Sequence, residues 1–327
     1  IFARYKKLSS QSSDKNYILT AHSIELSMLF GNQDMLNRKG GNPKLGSMMG
    51  RATQFGVCID RVSKPARMYG MEELILESDK KPGRFFEDQP DVNDDYQIHF
   101  IYMLDKDGKD NELDINGNME KELLELNEEM FKLTGNKQKY KFDYREDGKL
   151  DISFIRLDKK GTKKGWNNNY PDYFIQKLGF NNPKKLYFSW VDFNHRDGGQ
   201  MGVHSGYTFL LNQHVKGGKE KRIQITLHEL LHGQGFSWKC TKGDQRGHVG
   251  GPSILSNNNW TYKLGKMIYD HDNEGCPDLK DSVYLTPTSE NPFDPLQIAC
   301  ALGQKKRGNP PGNYQIPARY THKKLLK

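Results

Sequence analysis

The sequence predicts an α+β fold: a mixed sheet covered by helices, with one helix carrying a metal-ligand pattern. Three observations point there. Short apolar or alternating runs between residues 96 and 211 read as strands. Between and after them, apolar residues at three- and four-residue spacing read as amphipathic helices. Finally, Thr226-Leu-His-Glu-Leu-Leu-His-Gly-Gln-Gly235 sets two His one helical turn apart on one face.

The elements follow in order. Residues 1–92 show little periodicity. Ile18–Phe30 and Gly70–Ser78 read as short helices, and Lys39–Gly50, rich in Gly, Asn and Pro, as loop. Tyr96–Leu104 reads as a strand that is apolar on both sides, hence central. Met119–Thr134 is a helix with Leu123, Leu126, Met130 and Leu133 on one stripe, stopped by Gly135. Leu150–Leu157 is a second strand. Pro171–Leu178 is a short helix with Pro in its first turn. Lys185–Phe193 is a third strand and Tyr207–Leu211 a fourth, after a Gly-rich loop at 197–206. Tyr207–Leu211 is placed as an edge strand that would take an extended peptide by strand addition. Residues 236–290 are irregular, as a functional or stapled loop region would be.

His228-Glu-x-x-His232 is the spacing of a zinc hydrolase. Two imidazoles one turn apart can share an ion, and Glu229 reaches a water on it rather than the ion itself. Ile223, Leu227, Leu230 and Leu231 form an apolar stripe beside them. Gly217-Gly218 before the stretch and Gly233 and Gly235 after it read as helix boundaries. The competing reading is a buried amphipathic helix whose His are merely hydrogen-bonded.

A catalytic zinc takes three protein ligands. The spacing His-x-x-Gly-x-x-His fits as far as Gly235, but Trp238 stands where the third His would be. His248, in Gly247-His-Val-Gly250, is the leading candidate because the glycines let the chain turn back over the metal. Asp244 is the main alternative, followed by His271 and Glu274. Tyr269 and His271 are candidates for stabilising an oxyanion. His99, His195, His204 and His214 read as polar or packed residues. Asp105-Lys-Asp-Gly-Lys-Asp-Asn-Glu112 resembles a loose calcium loop without the EF-hand spacing, so Ca2+ is a weak second cofactor reading beside Zn2+.

Composition sets the outer limits. The 327 residues carry a net charge of +8, with seven Lys/Arg and no acid in residues 301–327. Basic ends suit an anionic surface or an acidic protein partner, or serve only as solvated tails. They lack the interleaved aromatics of a nucleic-acid module. No apolar run of about 18 residues exists, which excludes a helical membrane span. Cys58, Cys240, Cys276 and Cys300 form no CxxC pair; their even number fits two disulfides and an oxidising compartment. The expected division is a basic, loop-rich extension at 1–92, a catalytic domain at 93–290 and a basic tail at 291–327. The first residue is Ile1 rather than Met, which suggests that a preceding piece was removed or is not included in this sequence.

His228-Glu-Leu-Leu-His232, Cys240, Gly247-His-Val249, Tyr269-Asp-His-Asp272, Cys276-Pro-Asp-Leu279 and Ser282-Val-Tyr-Leu285 together resemble predicted bacterial secreted zinc metallopeptidases. Upstream, Gln97–Tyr102, Asp107-Gly108, Leu113–Gly117 and Leu150–Leu157 are similar to that family as well. The resemblance covers about residues 96–286. It implies a zincin-like fold, His248 as third ligand, a Cys240–Cys276 disulfide and secretion. Cleavage of a peptide or protein would follow, with Glu229 passing a proton from water to the leaving amine. The alternative is a surface or assembly protein on a vestigial zincin fold, its basic ends serving as attachment arms.

Overall fold

The computed structural model describes residues 75–158, 160–161, 174–175, 178–195, 198–202, 204–211, 218–234, 248, 250–256, 263–269 and 278–296. The chain is an α+β protein built on a mostly parallel five-stranded sheet. In chain order its elements are β1 (Gln97–Leu104), α1 (Asn118–Leu133), β2 (Lys139–Tyr140), β3 (Ile152–Arg156), β4 (Lys185–Val191), β5 (Gly199–Met201), β6 (Ser205–Phe209), α2 (Lys219–Gln234) and β7 (Leu285–Thr286). Strand order is β3-β1-β4-β6-β5. β1 pairs in parallel with β3 and β4, and β4 in parallel with β6; β5 is antiparallel to β6. β2 and β7 make a separate two-stranded ribbon.

β1 and β4 are buried at every position, as the unbroken apolar run in β1 demands of a central parallel strand. Their side chains alternate between two cores. Phe100, Tyr102, Leu186, Phe188 and Trp190 face α1 and α2; Ile101, Met103, Tyr187 and Val191 face Phe174, Leu178 and Phe180 on the other side. In α1 the buried positions are Met119, Leu123, Leu126, Asn127 and Met130. Asn127 ties the helix to β2, donating to the Tyr140 carbonyl (3.0 Å) and accepting from its N–H (2.8 Å).

Two sequence readings change here. Tyr207–Leu211 was expected at the sheet edge, yet β6 is flanked by β4 and β5, and β5 is the edge. Three residues, one of them Gly199, are too short for alternation to reveal a strand. Gly233 was read as a helix boundary, yet α2 runs through it to Gln234. A Cβ there would lie 2.5 Å from Met201 Cε and 3.0 Å from Leu186 Cδ1, so the glycine lets the helix lie close on the sheet. The helices read at 18–30 and 171–178, the loop at 39–50 and the basic ends lie wholly or mostly outside the described residues. So do all four cysteines.

The segment before β1 packs on the sheet. Phe85 bridges to Ser153, and Arg84, which is buried, donates to Asp110 (2.7 Å) and Asp114 (2.7 Å). This bears on the calcium reading. Asp105 accepts from the Gly161 N–H (2.8 Å), Asp107 faces Lys160 (3.3 Å), Glu112 pairs with Lys81, and Arg84 holds Asp110 and Asp114. Calcium needs six to eight oxygens converging on one point. Here each carboxylate of the loop already has a protein donor, Asp110 sharing Arg84 with Asp114.

Candidate metal centre

α2 places the site. Every residue from Ile223 to Gln234 is buried, the polar Gln224, Thr226, Glu229 and Gln234 included. Trp190 Nε1 donates to Thr226 Oγ1 (3.1 Å), and Arg222 pairs with Glu122 of α1 (2.8 Å). The helix is therefore fixed against the sheet and against its neighbour. After it the chain returns through His248 to residues 250–256. There Ile254 and Leu255 are fully buried, and the Ile254 N–H donates to the Ile268 carbonyl (3.0 Å).

His228, His232 and His248 come together. One ligand atom of each lies within 4.8 Å of those of the other two. Ring centroids are 4.9 Å apart for His228–His232, 5.1 Å for His228–His248 and 5.0 Å for His232–His248. The Nε2 atoms of His228 and His232 are 3.3 Å apart. Two nitrogens at tetrahedral angles on one zinc, each at ~2.0–2.1 Å, would be separated by about 3.3 Å. The pair is thus spaced as two ligands of one ion.

Protonation agrees with that spacing. His228 Nδ1 donates to the Ile254 carbonyl (2.6 Å), which leaves the Nε2 lone pair facing His232. Burial, with His248 beside it, pushes the His228 imidazole down to about 3, so it is the neutral, ligating form at ordinary pH.

Glu229 is buried on the same helix. Its carboxylate side chain lies against β5: a Cβ on Gly199 would meet Glu229 Cγ and Oε1 at 2.9 Å each. Sequence reasoning missed this contact, although Gly198-Gly199 was a usable signal of close approach. Tyr269 is buried, and its hydroxyl accepts from Gln234 Nε2 (2.6 Å). Asp244, His271 and Glu274 lie outside the described residues, as does His214. Of the other histidines, His195 stacks on Phe209 (4.6 Å), and buried His204 packs edge-on to Tyr187 (5.4 Å). His99 joins a charged cluster on the far face of the sheet.

No family model matches the chain, and no curated protein matches it. Among solved structures it is similar to wild-type OgpA from Akkermansia muciniphila, at 14% identity and a TM-score of 0.35, over 60% of this chain and 65% of that one. It is also similar to catalytically inactive OgpA in complex with an O-glycopeptide (glycodrosocin) substrate. That match has 14% identity and a TM-score of 0.32, over 66% of this chain and 62% of that one. The matched part spans less than two thirds of each of those chains. No helix among the described residues is long and apolar enough to cross a membrane.

Proposed function

We propose that the chain is a zinc-dependent metallopeptidase, with His228, His232 and His248 as zinc ligands and Glu229 as general base. The observation that carries the reading is the 3.3 Å spacing of the His228 and His232 Nε2 atoms with His248 closing the triangle. A bound zinc ion supplies Lewis acidity at that point, bringing the pKa of a water towards neutrality and polarising a carbonyl. Glu229 takes the proton of the attacking water and passes it to the leaving amine. β5, the edge strand among the described residues, lies against Glu229, and an extended peptide added along it would bring a scissile bond beside the carboxylate. Tyr269, whose hydroxyl accepts from Gln234 at the end of α2, and His271 are the candidates for stabilising the oxyanion. An even cysteine count supports an oxidising, secreted setting.

The test is Glu229→Gln, assayed on a peptide library with zinc content measured in parallel. Cleavage is expected to fall about 100- to 10,000-fold, the usual contribution of a general base, while zinc stays bound. Undiminished cleavage in that variant would overturn the mechanism.

A further inference from the structure

On the sheet face away from α2, at the start of β1 and β4, one ring nitrogen is surrounded by carboxylates. His99 Nδ1 lies 2.9 Å from Asp143 Oδ2, 3.4 Å from Asp151 Oδ2 and 3.6 Å from Asp88 Oδ1. Its other nitrogen, Nε2, is 3.0 Å from Ser153 Oγ. A bare lone pair facing three carboxylates is repelled, so a positive species belongs between them: a proton or a metal ion.

Three features favour the metal. First, one ligand atom from each of Asp88, His99, Asp143 and Asp151 lies within 4.8 Å of the others, as around one ion. With Nε2 on Ser153, the Nδ1 lone pair is the ligating one, which is how an outer hydrogen bond orients a metal-bound imidazole. Second, Asp151, whose Oδ2 faces His99 and accepts from the Gln89 N–H (2.8 Å), is 1% exposed, and its other oxygen, Oδ1, has no hydrogen-bond partner among the described residues. A buried carboxylate oxygen with no partner calls for a ligand. Third, the charges do not balance. Lys185 Nζ serves Asp88, Asp91 and Asp143 (2.6 Å to the last). Even with His99 protonated, two cations face four carboxylates among the described residues, Asp143 and Asp151 buried and Asp88 and Asp91 part-exposed, and a divalent ion would offset the surplus. Of the four, Asp88 lines a cleft of about 480 Å³ together with Asp91, Phe180 and Tyr187, so an ion would enter past its carboxylate.

We propose that Asp88, His99, Asp143 and Asp151 form a second divalent-cation site, independent of the three-imidazole centre. Three carboxylates and one imidazole suit a manganese-type ion. Bound there, it would fasten the chain at 88–89 to the first residues of the sheet and would displace the buried Lys185 Nζ, which now sits on Asp88 Oδ1 and Asp143 Oδ2, towards Asp91.

The test uses the full chain carrying His228→Ala, His232→Ala and His248→Ala, stripped with chelator and titrated with MnCl2. The variant is expected to bind about one Mn2+ per chain, and added Asp151→Asn to weaken binding about 10- to 100-fold. Spin-echo spectroscopy of the bound ion should show coupling to one imidazole nitrogen, lost in His99→Gln. No bound Mn2+, or binding unchanged by Asp151→Asn, would overturn the proposal and leave a proton at His99. Should Asp151→Asn not fold, the nitrogen signal decides alone, and its absence counts against the site. Metal content of the intact chain gives the same answer without substitutions: more than one ion for two sites, one for the imidazole centre only. Neither readout depends on peptidase activity.

Discussion

The side chain of Glu229 occupies the space that a side chain on Gly199 would need, with Cγ and Oε1 each 2.9 Å from the Cβ position. The same Cβ would be 2.6 Å from the Tyr207 carbonyl, so backbone and carboxylate both resist it. Gly199→Ala is therefore expected to push β5 and Glu229 apart. A shift of about 1 Å in a catalytic group can cost about 100-fold, so kcat/KM should fall by that order with zinc retained. Steady-state kinetics with metal analysis checks this, and full activity would mean that β5 gives way freely.

Substituting His228, His232 or His248 by Ala should each reduce zinc from about one equivalent to a small fraction at micromolar protein, since a structural or catalytic site depends on its full ligand set. Asp244→Ala should leave zinc in place. Mass-spectrometric metal content after dialysis reads the difference directly. Zinc loss in Asp244→Ala with retention in His248→Ala would exchange the two assignments.

Arg84 and Asp114 are both fully buried at the side chain and joined at 2.7 Å. Removing one partner of a buried ion pair leaves the other uncompensated. Arg84→Met should destabilise the fold by about 3–5 kcal/mol, whereas adding Asp114→Leu should recover only part of the loss, because Asp110 still lacks its guanidinium partner. Chemical denaturation of the three proteins measures both effects. Calcium should not raise the melting temperature of the parent chain through this loop, because its carboxylates are already engaged.

His204 is 3% exposed, and neither ring nitrogen has a hydrogen-bond partner among the described residues. Burial pushes its imidazole down to about 4, against ~6.5 in the unfolded chain. Between those values the unfolded state holds the extra proton, so this residue's contribution falls as pH drops from about 6.5 to about 4, by about 3 kcal/mol in full. His204→Phe keeps the ring contact with Tyr187 and removes the titration. Its stability relative to the parent chain should therefore rise on acidification through that window; parallel denaturation curves at pH 7 and 4.5 would show it.

The sequence carried a good deal of this unevenly. β1, α1, β3, β4, β6 and α2 were legible because each buries a continuous or periodic apolar run. His228, Glu229 and His232 were legible because helical spacing alone brings them to one face. His248 was only one of several candidates, since a return through an irregular loop has no periodicity to reveal which donor arrives. β5 was hidden by its length. Asp88, His99, Asp143, Asp151 and Lys185 are scattered over almost a hundred residues, so only the parallel pairing of β1 with β3 and β4 brings them together. Arg84 was unreadable as the counterion of the acidic loop for the same reason.

The bond from His228 Nδ1 to the Ile254 carbonyl joins α2 to the very stretch that carries His248. The acceptor is a main-chain atom, so no single side-chain exchange deletes it; only a displaced loop can. Readiness of the helix imidazole and arrival of the loop imidazole thus become one event. Half-assembled centres, with two rings aligned and the third astray, should be scarce, and metal uptake should track closure of this loop rather than formation of the helix.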